Sequence, residues 1–445
     1  MKSVFYPVIS GVCLLTISTY GYAEDITFDD MTVTATRSER SALEVPASIA
    51  SKSGDEVKAD KAVTQRELLN SIAGVRITQT GSTIGHMTSI RLPTGTKAYY
   101  LFLQDGVPVQ SSGFFNHNGL AFTNFSSAGS VEVLKGAGTA LYGSDAVGGT
   151  INVISYDPMK NLGVKGSIEG GSDDFRRLSL TGGTELNEQS AISMHISHAE
   201  SDGFRDHSEF DRQELSVNYV NDINNDNTVK ISLNANKFES EMTSDIRGFR
   251  NYRDHPKSAG RNVERVLGQG IDPIRQFDYA RLSAEWQYQL NDITDLSTIV
   301  YLRGNRNRYS ATWEQNVSKN DNEEKTVGLL FKANMDFGRF RVISGVDAEY
   351  TKGERQTVQE FDFVPMGFGS PVAAGTIFDY DVDYKALAPY TRVEIDLTEK
   401  LTLGLGGRYD INQFDYTNNT DNGVYENTYF RPDSGEDSTF NHFSP

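Results

Sequence analysis

The stretch Ala280-Arg281-Leu282-Ser283-Ala284-Glu285-Trp286-Gln287-Tyr288-Gln289-Leu290 alternates without a break. Every even position is apolar or aromatic, and nearly every odd one is polar or charged. Successive side chains of a strand point to opposite faces, so this segment has one greasy face and one wet one. The same split recurs in Val327, Leu329, Phe331, Ala333, Met335 and Phe337 against Lys332, Asn334 and Asp336. It returns in Leu401, Leu403, Leu405, Tyr409 and Ile411 against Thr402, Arg408 and Asp410, with shorter runs at 215–219 and 229–235. Repeated segments of this kind, apolar toward lipid and polar toward a lumen, are the signature of transmembrane barrel strands.

Working outward, the pattern places about eleven strands near 163–170, 175–184, 190–199, 211–220, 228–237, 277–290, 293–305, 324–337, 339–352, 384–397 and 400–413. The turns at 185–189, 221–227, 291–292, around Gly338 and at 398–399 are short. The alternate connections are long, at 200–210, 238–276, 306–323, 353–383 and after Phe414, and only 171–174 is brief. Short turns on one side and long loops on the other describe an outer-membrane barrel. A soluble sandwich has no reason to sort its loops by length.

The composition agrees. The 445 residues carry 60 acidic and 42 basic side chains, a net charge of −18, which disfavours a nucleic-acid binder because phosphate contacts need a basic surface. Mean hydropathy is −0.45, and the longest apolar run sits at the extreme N-terminus, so the chain does not read as a helical membrane protein. Gly 40, Tyr 21 and Phe 24 with 38% hydrophobic residues suit sheets with one wet face.

Residues 1–23 read as a signal peptide. Lys2 supplies a positive start, 8–19 a short apolar run, and Gly21-Tyr22-Ala23 a cleavage site before Glu24. The one cysteine, Cys13, falls inside it, so the mature chain is expected to be cysteine-free, which fits export without disulfides. The following tract, through Thr32-Val33-Thr34, is β-prone and lies near the new N-terminus, suited to adding as a strand to a partner's sheet edge. Between 41 and 157 short helical and strand patterns mix. One helix is expected over 64–71, with Leu68, Leu69 and Ile72 on one face and Thr64 with Glu67 as a capping box; 90–109 and 130–154 read as strands broken at glycines.

Three motifs carry a resemblance. Asp30-Met31-Thr32-Val33-Thr34-Ala35 resembles a TonB box, and Leu103-Gln104-Asp105-Gly106-Val107-Pro108-Val109 resembles a plug strand. Ser130-Val131-Glu132-Val133-Leu134-Lys135-Gly136, followed by 140–154, resembles the end of that plug. In this order, behind a signal and ahead of barrel strands, they identify the chain as a member of the TonB-dependent outer-membrane receptors. The resemblance implies an N-terminal α+β plug domain at 41–157, after a TonB box and linker at 24–40, and antiparallel transmembrane β-barrel strands over 158–445. It implies residence in the outer membrane of a Gram-negative bacterium, contact there with lipid and lipopolysaccharide, and the inner-membrane energising protein TonB as partner. The implied activity is active import, not catalysis, with a ferric siderophore as the commonest substrate and cobalamin or haem as alternatives. No cofactor is implied, since iron travels within the chelate. A soluble periplasmic β-rich enzyme is the reading from a different class.

The chain departs from the family pattern at Arg91-Leu92, where Arg-Gly is usual, and at Lys135-Gly136-Ala137, where Arg-Gly-Pro is usual. Those basic residues commonly pair with barrel carboxylates, which makes Arg91 and Lys135 candidate plug locks, an ordinary solvated surface being the other reading of Lys135. The family usually has 22 strands. An odd count near eleven leaves the chain outside after Phe414, and the tail Asn441-His442-Phe443-Ser444-Pro445 does not read as a strand end. The expectation is therefore roughly the N-terminal two-thirds of a receptor with about half its barrel, an open sheet prone to aggregate.

Other chemistry is weaker. Gly136 and Gly138 lack the Lys-Ser/Thr of a phosphate loop, and the tract 222–233 has Asn227 and Leu233 where a calcium loop needs Gly and Glu. The seven histidines show no zinc spacing, so no metal site is read. His86 with Met87, and Phe114, Phe115 and His117, fall in segments expected at the plug's outer apex, as ligand contacts or as packing against the barrel wall. Arg247, Arg250 and Arg253, with Tyr252 between them, make a cationic stretch in an acidic chain. It would attract an anionic ferric chelate or, alternatively, lipopolysaccharide.

Overall fold

The computed structural model describes residues 31–445 apart from 33, 35–36, 38–39, 42–44, 46, 115–116, 269, 313–317, 363–371, 427–428 and 436–437. The signal peptide and Asp30, Val33, Ala35 and Phe115 lie outside the described residues.

The plug is built on strands β1 (Ile49–Ser53), β2 (Val75–Thr80), β3 (Ser82–Ile90), β4 (Tyr100–Gln104), β5 (Val107–Pro108), β6 (Ala128–Lys135) and β7 (Gly149–Ser155). Five form one sheet in the order β1-β6-β7-β4-β5, and β2 pairs with β3. The β4–β5 connection is Asp105-Gly106, with φ of 54° and 75°. Two central residues with positive φ make a type I′ hairpin turn, the reason for an Asp-Gly pair there. Helix α1 (Gly54–Ala59) starts in a full capping box, Ser53 with Glu56. Helix α2 (Gln65–Asn70) starts at Thr64, whose hydroxyl accepts from Glu67 N. The Glu67 carboxylate turns to Val63 N at 2.9 Å, so the box expected at Thr64 is half formed. Leu68, Leu69 and Ile72 are buried as the periodicity predicts, in a core with Ile77, Ile90, Val131, Val133 and Ile151. A one-turn helix, α3 (Thr139–Tyr142), follows the Gly136–Gly138 turn, where the sequence suggested none.

The wall is one antiparallel sheet of twelve strands joined in chain order. They are β8 (Gly163–Gly170), β9 (Arg176–Asn187), β10 (Ser190–Ser201), β11 (Phe210–Asn224), β12 (Asn227–Glu241), β13 (Ile274–Asn291), β14 (Thr294–Ser310), β15 (Lys319–Asp336), β16 (Phe340–Gln359), β17 (Gly375–Thr398), β18 (Leu401–Asn418) and β19 (Ser438–Ser444). Among the described residues β8 and β19 pair with one neighbour each, so the sheet is open. The alternation holds: Leu282, Trp286, Leu302 and Leu405 are exposed on the outer face, while Arg281, Tyr301 and Arg408 turn inward and are buried. Among the described residues no helix is long and apolar enough to cross a membrane; the crossing elements are strands.

Two expectations are corrected. The count is twelve, because the tail forms β19 on the edge of β18, with Ser444 opposite Arg408 and Ser438 opposite Phe414. Pro445 lies just past the last pair, so its missing amide costs the ladder nothing, and Phe440 packs edge-on to Phe414 at 5.9 Å. The uneven placing of Phe440, His442 and Phe443 hides this strand from a period-2 reading.

Candidate functional site

The N-terminal segment is held inside the molecule. Met31–Thr32 pairs antiparallel with Arg40–Ser41. Thr34 is fully buried beneath the plug. Its amide donates to Glu132 Oε2 at 2.8 Å, its carbonyl accepts from Tyr142 Oη at 2.8 Å, and its hydroxyl oxygen accepts from Asn152 Nδ2 at 3.1 Å. All three partners come from the plug segment that ends the resemblance, on β6, α3 and β7.

Three residues on, Arg37 crosses to the wall. Its guanidinium forks Asp347 of β16 with two bonds of 2.9 Å and donates to Tyr390 Oη at 3.0 Å. It lies between the rings of Tyr142 at 4.4 Å and Tyr390 at 4.6 Å. Burial alone would lower the pKa of Arg37, but Asp347 outweighs it and the group is held above its ordinary value. Lys332 donates to the Arg37 carbonyl. Asp347 also accepts from Arg408, which is bonded to Asp410 at 2.8 Å and to the plug carbonyl of Leu141 at 3.1 Å.

Elsewhere the wall holds the plug through inward arginines that donate to plug carbonyls. Arg281, with no exposed side-chain surface, donates to Gln104 O and pairs with Asp105 at 2.8 Å. Asp105 is fixed in turn by Ser155 N at 2.7 Å and by Asn234 at 3.2 Å. Arg303 donates to Pro108 O at 2.7 Å, and Arg212 to Thr123 O at 2.5 Å.

This reverses the polarity expected of the plug lock. Arg91 is exposed in a positive-φ turn, and Lys135 donates to Ala73 O at 3.2 Å inside the plug. Among the described residues neither pairs with a barrel carboxylate. The locking cations sit on the wall and on the N-terminal segment because plug turns offer free carbonyls, and an inward guanidinium can reach them.

Within the plug His86 is only 5% exposed, its ring bonded to Ile84 O at 3.1 Å and edge-on to Phe102 at 5.9 Å. Burial depresses its pKa to about 3. It is a core histidine of the plug, not an apex contact. Met87 is half-buried. Phe114 packs edge-on to Tyr384 at 6.2 Å and against Gly353, where a Cβ would clash with the ring. His117 is half-buried, its pKa lowered to about 4 by burial and then by Arg275. The cationic stretch stands apart in the long loop before β13, Arg247 just ahead of the exposed helix α4 (Phe249–Asp254) and Arg250 and Arg253 on it. Arg247 pairs with Asp245 at 3.5 Å and Arg253 with Asp254 at 2.6 Å, and Phe249 and Tyr252 are exposed beside them. The structure therefore brings Thr34 together with the plug core, and it brings neither His86 nor Phe114 to the loop arginines.

Sequence reading missed Arg37, Glu132, Asp105, Arg281, Asp347 and Arg408. A signal existed for three of them: Glu132 is a carboxylate between two buried valines, and Arg281 and Arg408 occupy the lumen phase of strands read correctly.

Comparison with known proteins agrees with this architecture. The family model "TonB-dependent Receptor Plug Domain" matches residues 41–150, and "TonB dependent receptor-like, beta-barrel" matches 161–445. The vitamin B12 transporter BtuB of Vibrio vulnificus strain CMCP6 is 32% identical over 200 residues, 44% of this chain and 32% of that protein. Its counterpart in Vibrio cholerae strain O395 is 26% identical over 263 residues, 56% of this chain and 42% of the relative. The chain thus spans about a third to two-fifths of the length of these relatives. Among solved structures, the unliganded ferric citrate transporter FecA superposes with a TM-score of 0.72 at 16% identity, covering 90% of this chain and 59% of the other. The ferripyoverdine receptor of Pseudomonas aeruginosa gives 0.69 at 16% identity, covering 93% and 56%.

Proposed function

Since this chain belongs to the TonB-dependent receptors of the Gram-negative outer membrane, we propose that it serves energy-coupled import, with its N-terminal strand segment as the handle for TonB. The observation that carries this reading is the docking of Thr34 beneath Glu132, Tyr142 and Asn152, with Arg37 clasped by Asp347. A β-prone segment held by a few polar contacts is stored in a form that can be released for strand addition to a partner, where backbone hydrogen bonds do the gripping.

The cargo in this reading is a ferric siderophore, anionic and held by its oxygen donors. The exposed cations Arg247, Arg250 and Arg253 at and before α4, set beside Phe249 and Tyr252, support it by offering charge-assisted bonds and apolar contact together. A second reading, cobalamin, is favoured by the sequence similarity to vitamin B12 transporters over 200 residues of this chain. Titration of the detergent-folded chain with a ferric catecholate, ferric citrate, haem and cyanocobalamin separates the readings. Arg247→Ala, Arg250→Ala and Arg253→Ala combined should weaken binding of the ferric chelates, most at low salt where screening is small. Saturable binding of cyanocobalamin alone, or chelate affinity unmoved by the triple change, overturns the siderophore reading.

A further inference from the structure

His207 lies in the loop 202–209 between β10 and β11, and its ring reaches the long loop that leads into β13. The side chain is only 10% exposed. Nδ1 stands 3.1 Å from Glu241 Oε1 at the end of β12. Nε2 stands 3.2 Å from Pro273 O and 3.5 Å from Asp272 Oδ1. A neutral imidazole carries one hydrogen, and the Glu241 carboxylate holds it at Nδ1 more strongly than a carbonyl would at Nε2. The Nε2 lone pair then faces two oxygens, one of them charged. Three electron-rich atoms gathered this closely repel one another unless a cation stands between them.

A second proton on the ring is a poor answer, because 3.5 Å is long for a hydrogen bond to Asp272. Metal bonds of about 2.1 Å at tetrahedral or octahedral angles leave ligand atoms about 3.0–3.4 Å apart, close to the spacing around Nε2. An imidazole nitrogen beside a carboxylate and a carbonyl suits zinc better than calcium or magnesium, which take oxygen ligands. The other half of the ring is also placed as in a metal-bound histidine, where the second nitrogen donates to a carboxylate that fixes the tautomer. Glu241 is fixed in turn, its Oε2 accepting from Glu209 N at 2.9 Å. The two loops are joined without any ion, since Arg205 donates to Ser244 O at 2.7 Å and to Ser258 O at 2.9 Å, and Thr243 Oγ1 donates to Asp206 O at 3.0 Å. The ligands are therefore held in place in advance, which lowers the cost of binding. Asp206, Glu209, Glu241 and Asp272 make the locality acidic, while the charges of Arg205 and Lys257 go to carbonyls and to the Phe204 ring. Asp272, 68% exposed, opens the site to water for the remaining coordination positions.

We propose that His207 Nε2, Asp272 Oδ1 and Pro273 O bind a zinc-type divalent cation, with Glu241 orienting the ring from Nδ1. The bound ion would tie the loop 202–209 to the base of the loop that carries Arg247, Arg250 and Arg253. Neither the ion nor the tie rests on the import reading above.

The test uses the full chain folded in detergent and labelled with 15N-histidine, titrated with zinc chloride and, separately, with magnesium and calcium chloride. The His207 signal is identified by its loss in His207→Gln, and zinc affinity is measured by competition with a coloured chelator. The expected result is a saturable zinc shift of that signal, absent with magnesium and calcium, and an affinity at least tenfold weaker in His207→Gln. Since His207→Gln can loosen the loop by itself, Asp272→Asn, at an exposed position, is measured as well and should also weaken binding about tenfold. His198→Gln is the control for the other histidine with carboxylates close by, Glu200 and Asp211 on the outer wall, and should leave the affinity unchanged. A His207 shift that is absent, fails to saturate or is matched by magnesium or calcium overturns the proposal. So does an affinity unmoved by both His207→Gln and Asp272→Asn, or one lowered only by His198→Gln. No transport enters this readout, so the site can stand if import fails, and import can stand if the site fails.

Discussion

Replacing Asp347 by Asn tests the clasp on the N-terminal segment. Arg37 makes two bonds of 2.9 Å to this carboxylate and one of 3.0 Å to Tyr390, and the side chains of both Arg37 and Asp347 are 13% exposed. Removing one member of a buried pair costs about 3–5 kcal/mol. Some of that is kept, because the guanidinium still stacks between Tyr142 and Tyr390 for about 1–2 kcal/mol, and Arg408 retains Asp410. The docked segment should therefore loosen by about 2 kcal/mol, roughly a thirtyfold rise in the released population. The assay is maleimide labelling of Thr34→Cys, at the buried position of the segment, in a chain with Cys13→Ser, under conditions where the rate follows the open population. Arg37→Ala, which also loses the stacking and the Tyr390 bond, should accelerate labelling at least as much, and the two changes together should give little more than Arg37→Ala alone, because they remove the same contact. A less than threefold change for Asp347→Asn in a folded chain, or full additivity of the two, would refute the reasoning.

The remaining predictions concern the plug seam, acid stability and coupling. Arg281→Met removes the donors to Gln104 O and Asp105 and should destabilise the chain by about 3 kcal/mol, seen as a lower midpoint in urea; an unchanged midpoint would mean that Asn234 and Ser155 suffice to hold Asp105. His86 and His117 titrate near 3 and 4 in the folded plug against an ordinary 6.5, because burial disfavours their charged forms. Their contribution is full above about pH 6.5 and is lost as the pH falls toward those values, about 2 kcal/mol at pH 5 for His86. The urea midpoint should drop between pH 7.5 and 5, less so in His86→Gln, and equal drops would exclude His86 as the source. Val33→Pro removes an amide donor from the segment proposed as the TonB handle, so uptake should vanish while ligand binding at the surface persists; normal uptake would contradict that proposal.

Much of the wall was legible because its pattern is local. Leu282 and Trp286 outward against Arg281 and Ser283 inward follows from the two-residue period alone, whatever the neighbouring strand is. The Asp105-Gly106 turn and the buried face of α2 are equally local, set by backbone preference and by helix period. The last strand escaped notice since β19 is revealed by its pairing with β18, not by an alternation of its own.

The sequence by itself determined which residues face lipid, which face the lumen, where the chain turns, and that a β-prone segment precedes a plug. Only the tertiary structure decided the partners. Arg37 finds Asp347 from 310 residues away, and Arg281 finds Asp105 from 176. Local propensity orients a side chain toward the lumen but says nothing of what waits there. That depends on the height and rotation at which the plug seats in the wall, and many long-range contacts fix this seat together. So the lock expected of Arg91 and Lys135 is carried instead by inward arginines of the wall and by Arg37, whose guanidinium groups reach plug carbonyls and a barrel carboxylate across a gap that neither segment encodes alone.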